Sequence, residues 1–400
     1  MNITGIITEY NPFHNGHLYH LNCAKKDTKS DGIVCVMSGN FVQRGEPSII
    51  DKWKRAEMAV LNGVDLVIEL PTFYALSSAE FFAKGSISIL NNIGVVDNLF
   101  FGSECGDVDS LYKIAKVLTC ESDEFKEIIK KNLEKGLTYV KAREIALVET
   151  LKDESLNTIL SSSNNILGIE YIKAIIKLNS NIKPMTLKRE GSNYNDSELN
   201  SIFSSATSIR NNLKDGKSIK NLEKYMPKPS IDILENLRNI KYPFVFSNDM
   251  FPYIRYKVLT NCINFNNISE IKEGLDNKII KEIINSKNLD EFILNIKSKR
   301  YTYTKISRIL SQIFISLDNY DFISLIDENN LYARVLAFND TGKLILKDMK
   351  KKSSIPIITN LQKNNSNPLL SLDIQSSKAY SILNNRYNPL SDFLTSPIIK

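Results

Sequence analysis

Short apolar runs alternate with amphipathic stretches over the first part of the chain. The runs rich in β-prone residues, which predict strands, lie at residues 3–7, 32–37, 64–70 and 97–101. The amphipathic stretches, which predict helices, lie at residues 16–26, 51–62 and 77–92. Near-continuous apolar strands separated by helices are typical of a parallel sheet covered on both faces, so we expect a Rossmann-like α/β fold. Ligands of such sheets bind at the carboxyl ends of the strands.

The same alternation continues beyond this region. A fifth strand is predicted at residues 183–188, after a helical region at residues 122–178. A capped helix is predicted next, at residues 204–215.

The pattern changes beyond Pro227 and Pro229, where long helical segments dominate before short strand-like runs such as residues 333–338. A chain of 400 residues exceeds the usual size of one hydrophobic core. We therefore predict two domains, an α/β parallel-sheet domain over residues 1–228 and a mainly helical accessory domain over residues 229–400.

Composition places the chain among ordinary globular proteins. Hydrophobic residues make up 42% and charged residues 24%, which excludes the disordered and fibrous classes.

No apolar run approaches the roughly 20 residues of a membrane helix, and no basic-then-apolar leader follows Met1, so we expect a cytoplasmic protein without a membrane partner. The net charge of +6 is compatible with a polyanionic partner without requiring one. The five cysteines form no Cys-x-x-Cys pair, so neither a disulfide framework nor a structural zinc site is expected.

All three histidines of the chain, His14, His17 and His20, fall within seven residues where the first predicted strand meets the first predicted helix. A helix N-terminus offers unpaired N–H groups and a positive dipole end, which together favour an anion. Gly16 lets the backbone approach a nucleotide closely. Imidazoles at this place can donate hydrogen bonds to phosphate oxygens and stabilise the charge that builds on an α-phosphate during in-line displacement. We assign that role to His14 and His17.

The histidine cluster also has two alternative interpretations. The histidines are surface residues, or they bind a metal ion through their three-residue spacing on one helix face.

A second candidate for anion binding is the run of residues 204–210, where hydroxyl residues precede a helical stretch. Serine and threonine at a helix N-terminus cap it and can also hold phosphate, and Arg210 would add a charge-assisted contact. The alternative is a plain helix cap, but the position after the last predicted strand of the sheet favours a phosphate site.

Motifs of several enzyme classes are missing from the sequence. It contains no Gly-x-x-x-x-Gly-Lys-Ser/Thr loop and no Gly-x-Gly-x-x-Gly, so P-loop hydrolysis and dinucleotide redox chemistry lose their main support. A Ser/His/Asp triad is disfavoured because no Gly-x-Ser-x-Gly elbow is present.

The histidine region resembles the HxGH nucleotidyltransferase superfamily, whose signature matches His14-Asn15-Gly16-His17, while residues 205–210 resemble its later Ser/Thr-x-x-Arg phosphate motif. Within that superfamily the whole chain is similar to the tRNA(Met) cytidine acetate ligase family. The blocks that carry this similarity are EYNPFHNGH at 9–17, MSGNF at 37–41, QRGEP at 43–47, GVDLVIELP at 63–71, FFGSE at 100–104, NNILG at 164–168 and KRYT at 299–302.

The resemblance implies a nucleotidyltransferase domain and a two-step reaction. Acetate attacks the α-phosphate of ATP to give acetyl-adenylate and pyrophosphate, and the acetyl group then moves to the exocyclic amine of the wobble cytidine of elongator tRNA(Met), forming 4-acetylcytidine. Magnesium bridging the phosphates is expected from the chemistry of ATP. The ATP-binding residues that the two motifs and the resemblance imply are Ile7, Thr8, Glu9, Tyr10, Asn11, Pro12, Phe13, His14, Asn15, Gly16, His17, Leu18, Tyr19, His20, Gly102, Asn164, Arg189, Ser208 and Arg210.

Three of these residues could equally have an ordinary structural role. Gly102 could be a plain turn glycine and Asn164 a helix cap. Arg189 could be a solvated charge that pairs with Glu190. Arg44, in the QRGEP block, follows the second strand and could contact phosphate, tRNA or a neighbouring carboxylate; we leave these alternatives open.

Residues 297–308 carry five basic residues, no acidic residue and two tyrosines. Basic groups neutralise phosphates while tyrosine rings stack on unpaired bases, so this composition is expected of a contact with single-stranded RNA. The alternative is a solvated helix face whose tyrosines pack inward. The residues that we assign to tRNA binding are Lys299, Arg300, Tyr301, Tyr303 and Lys305.

The leading hypothesis is therefore an ATP-dependent ligase that modifies tRNA. A small-metabolite adenylyltransferase of the same fold is the nearest enzymatic alternative, and the long C-terminal region argues against it. A catalytically silent tRNA-binding protein is a further alternative, and the intact histidine motif argues against that.

Overall fold

A computed structural model of the protein describes residues 1–154, 156–189, 205–362 and 365–400. Its strands are β1 (Ile3–Thr8), β2 (Gly32–Ser38), β3 (Phe41–Val42), β4 (Glu46–Pro47), β5 (Leu66–Leu70), β6 (Asn98–Ser103), β7 (Lys183–Lys188), β8 (Ala333–Phe338), β9 (Ile357–Ile358) and β10 (Ile398–Ile399). Its α-helices are α1 (Asn15–Thr28), α2 (Lys52–Leu61), α3 (Thr72–Ala75), α4 (Ala79–Asn92), α5 (Val108–Thr119), α6 (Asp123–Glu134), α7 (Tyr139–Leu151), α8 (Leu156–Leu160), α9 (Ser163–Lys177), α10 (Ala206–Lys214), α11 (Lys228–Asn239), α12 (Phe251–Leu259), α13 (Leu275–Glu282), α14 (Leu289–Ile296), α15 (Tyr303–Phe314), α16 (Phe322–Ile326), α17 (Asp340–Lys352), α18 (Pro368–Leu383) and α19 (Ser391–Leu394).

Eight of these strands form one sheet in the order β10-β8-β5-β2-β1-β6-β7, with β9 also paired to β8. β1 lies between β2 and β6 and is parallel to both, with Ile3 opposite Gly32 and Thr4 opposite Asn98. The chain runs from β1 through β2 to β5 on one side and returns to β6 on the other. The carboxyl ends of β1 and β6 therefore flank the crevice in which open α/β sheets bind their ligands.

Burial explains why the central strands are mostly apolar in the sequence, with Glu69 as the one charged residue of β2 and β5. Every residue of β2 and β5 is buried, which requires cover on both faces of the sheet. The cover includes α4 and α17, which both pack on β2 and β5, and α1, which packs on β1 and β6. The predicted α/β fold with a mainly parallel sheet is confirmed, and the five predicted strands correspond to β1, β2, β5, β6 and β7.

Three strands of the sheet come from the late part of the chain. β8 pairs antiparallel with β5, and β9 and β10 pair in parallel with β8. The strand predicted at residues 333–338 is therefore part of the main sheet. The C-terminal part of the chain therefore contributes three strands to the main sheet in addition to helices α11 to α19. The boundary between two domains at residue 228 stays a prediction.

Two predicted helices differ from those in the structure. The stretch at residues 77–92 belongs to one helix only from Ala79 onward, because the Ser77 hydroxyl donates to the Phe73 carbonyl oxygen (2.6 Å) and closes the short helix α3 before it. The helix predicted at residues 204–215 is α10, with Ser205 as its N-cap; Ser204 lies outside the described residues.

Two further observations concern cysteines and membranes. All five cysteines are free thiols. In the part of the chain that the structure describes, no helix combines the length and the apolar character needed to span a bilayer.

A buried ionic cluster fastens the C-terminal residues to the sheet. Lys52 Nζ lies 2.7 Å from Glu69 Oε1 and 2.9 Å from Asp392 Oδ1. The Arg334 guanidinium completes the cluster, 3.4 Å from Glu69 Oε2 and 3.2 Å from Asp392 Oδ1. All four side chains are at most 3% exposed, so two cations and two carboxylates are balanced away from water. The cluster joins α2, β5, β8 and α19.

Candidate active site

A cavity of about 280 Å³ lies at the carboxyl ends of β1, β6 and β7, beside the first residues of α1, α9 and α10. Among the described residues, its wall contains three histidines, two arginines and a single carboxylate. The lining residues are Ile7, Thr8, Glu9, Tyr10, Asn11, His14, Gly16, His17, Tyr19, His20, Gln43, Arg44, Phe82, Phe101, Gly102, Ser163, Asn164, Leu167, Tyr171, Leu187, Arg189, Ser205 and Ala206.

His14 and His17 are fixed by the backbone at the start of α1. His14 is the N-cap of the helix, and its Nδ1 accepts the Gly16 N–H (3.0 Å). His17 Nδ1 accepts the His14 N–H (3.2 Å), which completes a capping box. A side chain at residue 16 would place its Cβ only 2.9 Å from His14 Cε1, so a residue other than glycine would displace that ring. Because each Nδ1 accepts, a neutral ring carries its proton on Nε2, where it can donate to a ligand.

Electrostatics keeps these rings neutral. Burial lowers the pKa of His14 to about 3, and the charges of Arg189 and Arg210 act in the same direction. Burial also lowers the pKa of His17 well below its ordinary value, with His14 and Arg189 adding to the effect. Near neutral pH both imidazoles are therefore uncharged hydrogen-bond donors, and their ring centroids lie 3.7 Å apart with the ring planes tilted by 30°.

His20 differs from His14 and His17. Its Nε2 is buried and, within the described residues, has no hydrogen-bond partner. Its ring lies 5.2 Å from that of Phe100, and burial followed by the charge of Arg189 lowers its pKa to about 4. The hypothesis of a metal site gains no support, because the described residues contain no group of three or more histidine, cysteine or carboxylate side chains arranged to hold an ion.

Gly102 and Arg189 lie next to each other across β6 and β7. Arg189 N–H donates to the Ser103 carbonyl oxygen (2.9 Å), which extends the strand pairing by one residue. A Cβ at Gly102 would lie 3.2 Å from Arg189 Cγ, so a side chain there would crowd the arginine. Since Arg189 lowers the pKa of all three histidines, its charge faces the same space as they do. The proposed pairing partner Glu190 lies outside the described residues.

Asn164 reaches the cavity from the first turn of α9. Its backbone and side-chain N–H groups both donate to Glu104 Oε1, at 3.2 and 2.7 Å. The next N–H, of Asn165, donates to Glu104 Oε2 (2.8 Å). Glu104 thus caps α9 from the loop after β6, so Asn164 is part of a helix start and also a wall residue.

Of the residues predicted at 204–210 to bind phosphate, some line the cavity and others do not. Ser205 caps α10 by accepting the Ser208 N–H (3.1 Å), and the Ser208 hydroxyl donates to the Ser205 carbonyl oxygen (2.8 Å). Arg210 donates to the Asn11 carbonyl oxygen (2.9 Å) and pairs with Glu46 (3.2 Å). Ser205 lines the cavity whereas Ser208 and Arg210 do not, so Arg210 braces the histidine loop in this structure.

Four more of the predicted ATP residues also lie outside the cavity wall. Phe13 is fully buried and packs on Tyr10 and His17 with ring centroids 4.6 and 5.7 Å away. Asn15 is engaged elsewhere, because its backbone and side-chain N–H groups donate to the carbonyl oxygens of Tyr225 and Lys224 (2.9 Å each). The predicted ATP residues that do not line the cavity are Pro12, Phe13, Asn15, Leu18, Ser208 and Arg210.

Arg55 holds the loops that follow β1 and β2, a role that the sequence analysis did not assign to it. Its guanidinium is fully buried and donates to the carbonyl oxygens of Glu9 (2.6 Å) and Ser38 (3.0 Å) and to that of Gly39. The loops after β1 and β2 are therefore held by one side chain. The sequence does contain a signal for this role. Arg55 lies on the apolar face of α2 beside Ala56, and a charged group buried there needs polar partners.

The loop of residues 43–47, which carries Arg44 to the cavity wall, is docked on α15. The Gly45 carbonyl oxygen accepts the hydroxyls of Ser307 and Ser311, at 2.7 Å each. Gly45 has φ +78°, and a Cβ there would collide with the backbone at Arg308, so only glycine fits. The loop that contributes Gln43 and Arg44 to the cavity wall is thus in direct contact with α15.

The basic segment, residues 297–308, runs from the C-cap of α14 at Lys297 through a loop into the first turns of α15. Lys299 and Arg300 are exposed, and with Tyr301 they line a second cavity of about 390 Å³. Arg300 pairs with Glu273. Tyr303 is 41% exposed and donates its hydroxyl to Asp290 (2.6 Å).

The assignment of Tyr301 as a stacking residue does not fit the structure. Its ring is only 7% exposed, its hydroxyl donates to the Lys272 carbonyl oxygen (2.6 Å), and Lys305 Nζ lies 4.6 Å from the ring centroid. Of the two tyrosines, only Tyr303 presents its ring to solvent. Tyr301 instead packs inward from the loop before α15.

Known proteins resemble this chain over its whole length. The profile of the family described as HIGH Nucleotidyl Transferase matches residues 1–392. A protein of Clostridium novyi named tRNA(Met) cytidine acetate ligase is 55% identical over 399 residues, which cover 100% of this chain and 99% of that protein. A protein of the same name from Clostridium acetobutylicum is 51% identical over 407 residues, covering 100% of both.

Solved structures show the same likeness. The crystal structure of Thermotoga maritima TmcAL bound with alpha-thio ATP superimposes with a TM-score of 0.89 at 33% sequence identity, over 100% of this chain and 99% of that one. The apo form of the same Thermotoga maritima protein superimposes with a TM-score of 0.91, at the same identity and coverage.

Proposed function

This chain belongs to the HIGH nucleotidyl transferase family and, within it, to the tRNA(Met) cytidine acetate ligases, and from that membership we propose that it uses ATP and acetate to acetylate the wobble cytidine of elongator tRNA(Met). The observation that carries the proposal is full-length identity of about half to proteins of that name, together with a cavity lined by His14 and His17. We further propose that it works in the cytoplasm.

In the proposed first step, an acetate oxygen attacks the α-phosphorus of ATP, the bond to the β-phosphate oxygen breaks, and pyrophosphate leaves. The Nε2–H groups of His14 and His17 would donate to the α-phosphate oxygens, on which negative charge grows in the transition state. Two neutral donors held by backbone contacts need no reorganisation during the reaction. The N-terminal end of α1 and the Arg189 guanidinium would add positive potential.

ATP is proposed to lie across the carboxyl ends of β1 and β6. Its phosphates would face the histidines, and its adenosine would lie near Gly102 and the apolar wall formed by Phe101 and Leu167. Magnesium would be held by the phosphates and water, because the cavity wall contributes a single carboxylate among the described residues. When bound, it would neutralise phosphate charge.

In the proposed second step, the exocyclic amine of the wobble cytidine attacks the acetyl carbon and AMP leaves. The tRNA would be held by the accessory region of residues 229–400, chiefly through Lys299, Arg300, Tyr303 and Lys305. The contact between Gly45 and α15 supports this proposal, because it links the helix that begins in the basic segment to the cavity.

The acetyl-adenylate should form before transfer, so we expect labelled pyrophosphate to exchange into ATP when acetate is present and tRNA is absent. The measurement is incorporation of label into ATP, with and without acetate. Exchange that is independent of acetate, or that requires a nicotinate or pantetheine nucleotide, would favour a metabolite adenylyltransferase and contradict the proposal.

Replacing Lys299, Arg300 and Lys305 together by alanine should weaken tRNA binding while leaving acetate-dependent exchange close to the wild-type rate. If each side chain neutralises one phosphate, the slope of log affinity against log salt should flatten by about 0.7 to 0.9 per lost contact. The measurement is tRNA affinity at a series of salt concentrations.

A matched control removes three positive charges from a different surface of the protein. Lys347, Lys350 and Lys351 are exposed on α17, which packs on the sheet, so their alanine variant should keep the wild-type slope. A wild-type slope in the variant that lacks Lys299, Arg300 and Lys305 would show that residues 299–305 are only a solvated surface.

A further inference from the structure

Glu9 is the one carboxylate on the cavity wall among the described residues. It follows the last residue of β1, and its Oε1 accepts the Gln43 N–H (2.9 Å). Its own carbonyl oxygen is held by Arg55 (2.6 Å), so the backbone that carries the carboxylate is fixed. A rigid acidic group in a nucleotide cavity needs an explanation, because it repels phosphate rather than binding it.

The loop that holds Glu9 also leads to the proposed RNA surface. Gln43 begins the loop whose Gly45 carbonyl oxygen is bound by Ser307 and Ser311 of α15, and the first turn of that helix contains Tyr303. Glu9 therefore lies where the nucleotide cavity meets the element that we propose to contact tRNA. A wobble base reaching the acetyl-adenylate from that helix would pass this carboxylate.

We propose that Glu9 is the general base of acetyl transfer, accepting the proton that the cytidine exocyclic amine loses. The inference rests on the proposed function and names the group that completes its second step. The amine nitrogen forms a bond to the acetyl carbon, the bond between that carbon and the phosphate oxygen breaks, and AMP leaves with the electron pair. The amine proton moves to the Glu9 carboxylate, which then returns it to solvent.

The remaining titratable groups of the cavity suit this role less well. His14 and His17 carry their proton on Nε2 and have Nδ1 occupied, so neither has a nitrogen available to accept a proton. Burial raises the pKa of Tyr10 and of Tyr171, so both phenols stay protonated at neutral pH. The pKa of His20, about 4, makes it a weak base.

The surroundings of Glu9 shift its pKa toward the range that a general base needs. Burial raises the pKa of the Glu9 carboxyl, an effect that the charge of Arg44 opposes. A base with a raised pKa takes up a proton more readily than an ordinary carboxylate does. The charged and titratable groups that face it are Arg44 and Glu46 from the loop, Arg210 from α10, Arg55 from α2 and Tyr171 from α9.

The test compares both half-reactions in Glu9→Gln, because glutamine keeps the volume and an acceptor for the Gln43 N–H while removing the base. Acetate-dependent pyrophosphate exchange reports adenylate formation. Single-turnover transfer from acetyl-adenylate to elongator tRNA(Met) reports the second step. We expect transfer to fall at least about 100-fold more than exchange does, since general base catalysis typically contributes that much or more.

The pH profile supplies a readout that a structural role would not change. Wild-type transfer should rise as Glu9 deprotonates with increasing pH and then level off, and Glu9→Gln should lose that rising limb. Glu9→Asp, which keeps a carboxylate one methylene shorter, should retain the limb at a lower rate. Far-UV circular dichroism and the melting temperature of each variant show whether it is folded.

Two results would overturn the inference: equal proportional losses of exchange and transfer in Glu9→Gln, or a rising limb that persists without the carboxylate. A wild-type protein that transfers no acetyl group to tRNA would instead contradict the proposed function itself. The two failures are therefore distinguishable in one set of assays.

Discussion

Alanine at His14 or at His17 is expected to lower acetate-dependent adenylate formation at least about 100-fold, because loss of one preorganised transition-state donor typically costs about 3 kcal/mol. Each imidazole presents Nε2–H while its Nδ1 is held by a backbone N–H. His20→Ala should cost less, because His20 lies further along α1 from the expected α-phosphate. The measurement is the rate of acetate-dependent pyrophosphate exchange.

The helix cap and the phosphate contact can be separated at His14. Asparagine is a favoured N-cap and can accept the Gly16 N–H, but it places no donor where Nε2 lies. His14→Asn should therefore restore the stability lost in His14→Ala without restoring exchange. Near-wild-type exchange in either variant would show that the histidine is structural.

Because the His14 pKa is about 3, wild-type exchange should show no titration of this imidazole between about pH 5 and 8.

Replacing Lys52 by methionine should lower the free energy of unfolding by about 3 to 5 kcal/mol, the usual cost of removing one partner from a buried ionic group. The substitution leaves Glu69 and Asp392 with Arg334 as their remaining buried cation. The measurement is urea denaturation followed by circular dichroism. Lys54→Met is the matched control on the same helix: Lys54 is 42% exposed and pairs with Glu57, so its loss should cost below about 1 kcal/mol.

The same cluster predicts a dependence of stability on pH. Burial opposes ionisation of Asp392, but Lys52 and Arg334 outweigh it and hold the pKa of that carboxyl below its ordinary value. A lowered carboxyl pKa stabilises the fold above the ordinary value of about 4, and this stabilisation is lost as pH falls through the lowered value. Lys52→Met should begin to lose stability at a higher pH than the wild type. Equal stability of Lys52→Met and Lys54→Met would contradict this account of how the C-terminal residues are fastened.

The elements of the parallel sheet were predictable because each leaves a local signal. β2 and β5 are buried throughout and are therefore mostly apolar, and α10 is marked by its cap at Ser205. The histidine cluster was predictable for the same reason, since its strand-to-helix position and spacing are contiguous in sequence. Local patterns do not place β8 next to β5, because that pairing joins residues more than 260 positions apart.

Long-range partners are what local sequence patterns do not supply. The sequence assigns Arg210 to phosphate, which stays a prediction, and the structure adds its contacts with Glu46 and the Asn11 carbonyl oxygen. It assigns Tyr301 to base stacking, but the hydroxyl of that ring is bonded inward to the Lys272 carbonyl oxygen. In each case the side chain does form polar contacts, but the partner that engages it lies too far along the chain to be inferred.

The most direct test of the proposed function is incubation of the protein with isotope-labelled acetate, ATP and elongator tRNA(Met), followed by mass spectrometry of the tRNA nucleosides. We expect labelled 4-acetylcytidine at the wobble position, dependent on ATP, formed at least about 100-fold more slowly by His14→Ala or His17→Ala, and absent when another tRNA is used. Substitutions at Tyr303 or in the basic segment should lower the yield of 4-acetylcytidine when tRNA is limiting. Substitutions of the histidines should lower it at any tRNA concentration. Unlabelled tRNA(Met) after incubation with active wild-type protein, or label on a molecule other than tRNA, would contradict the proposal.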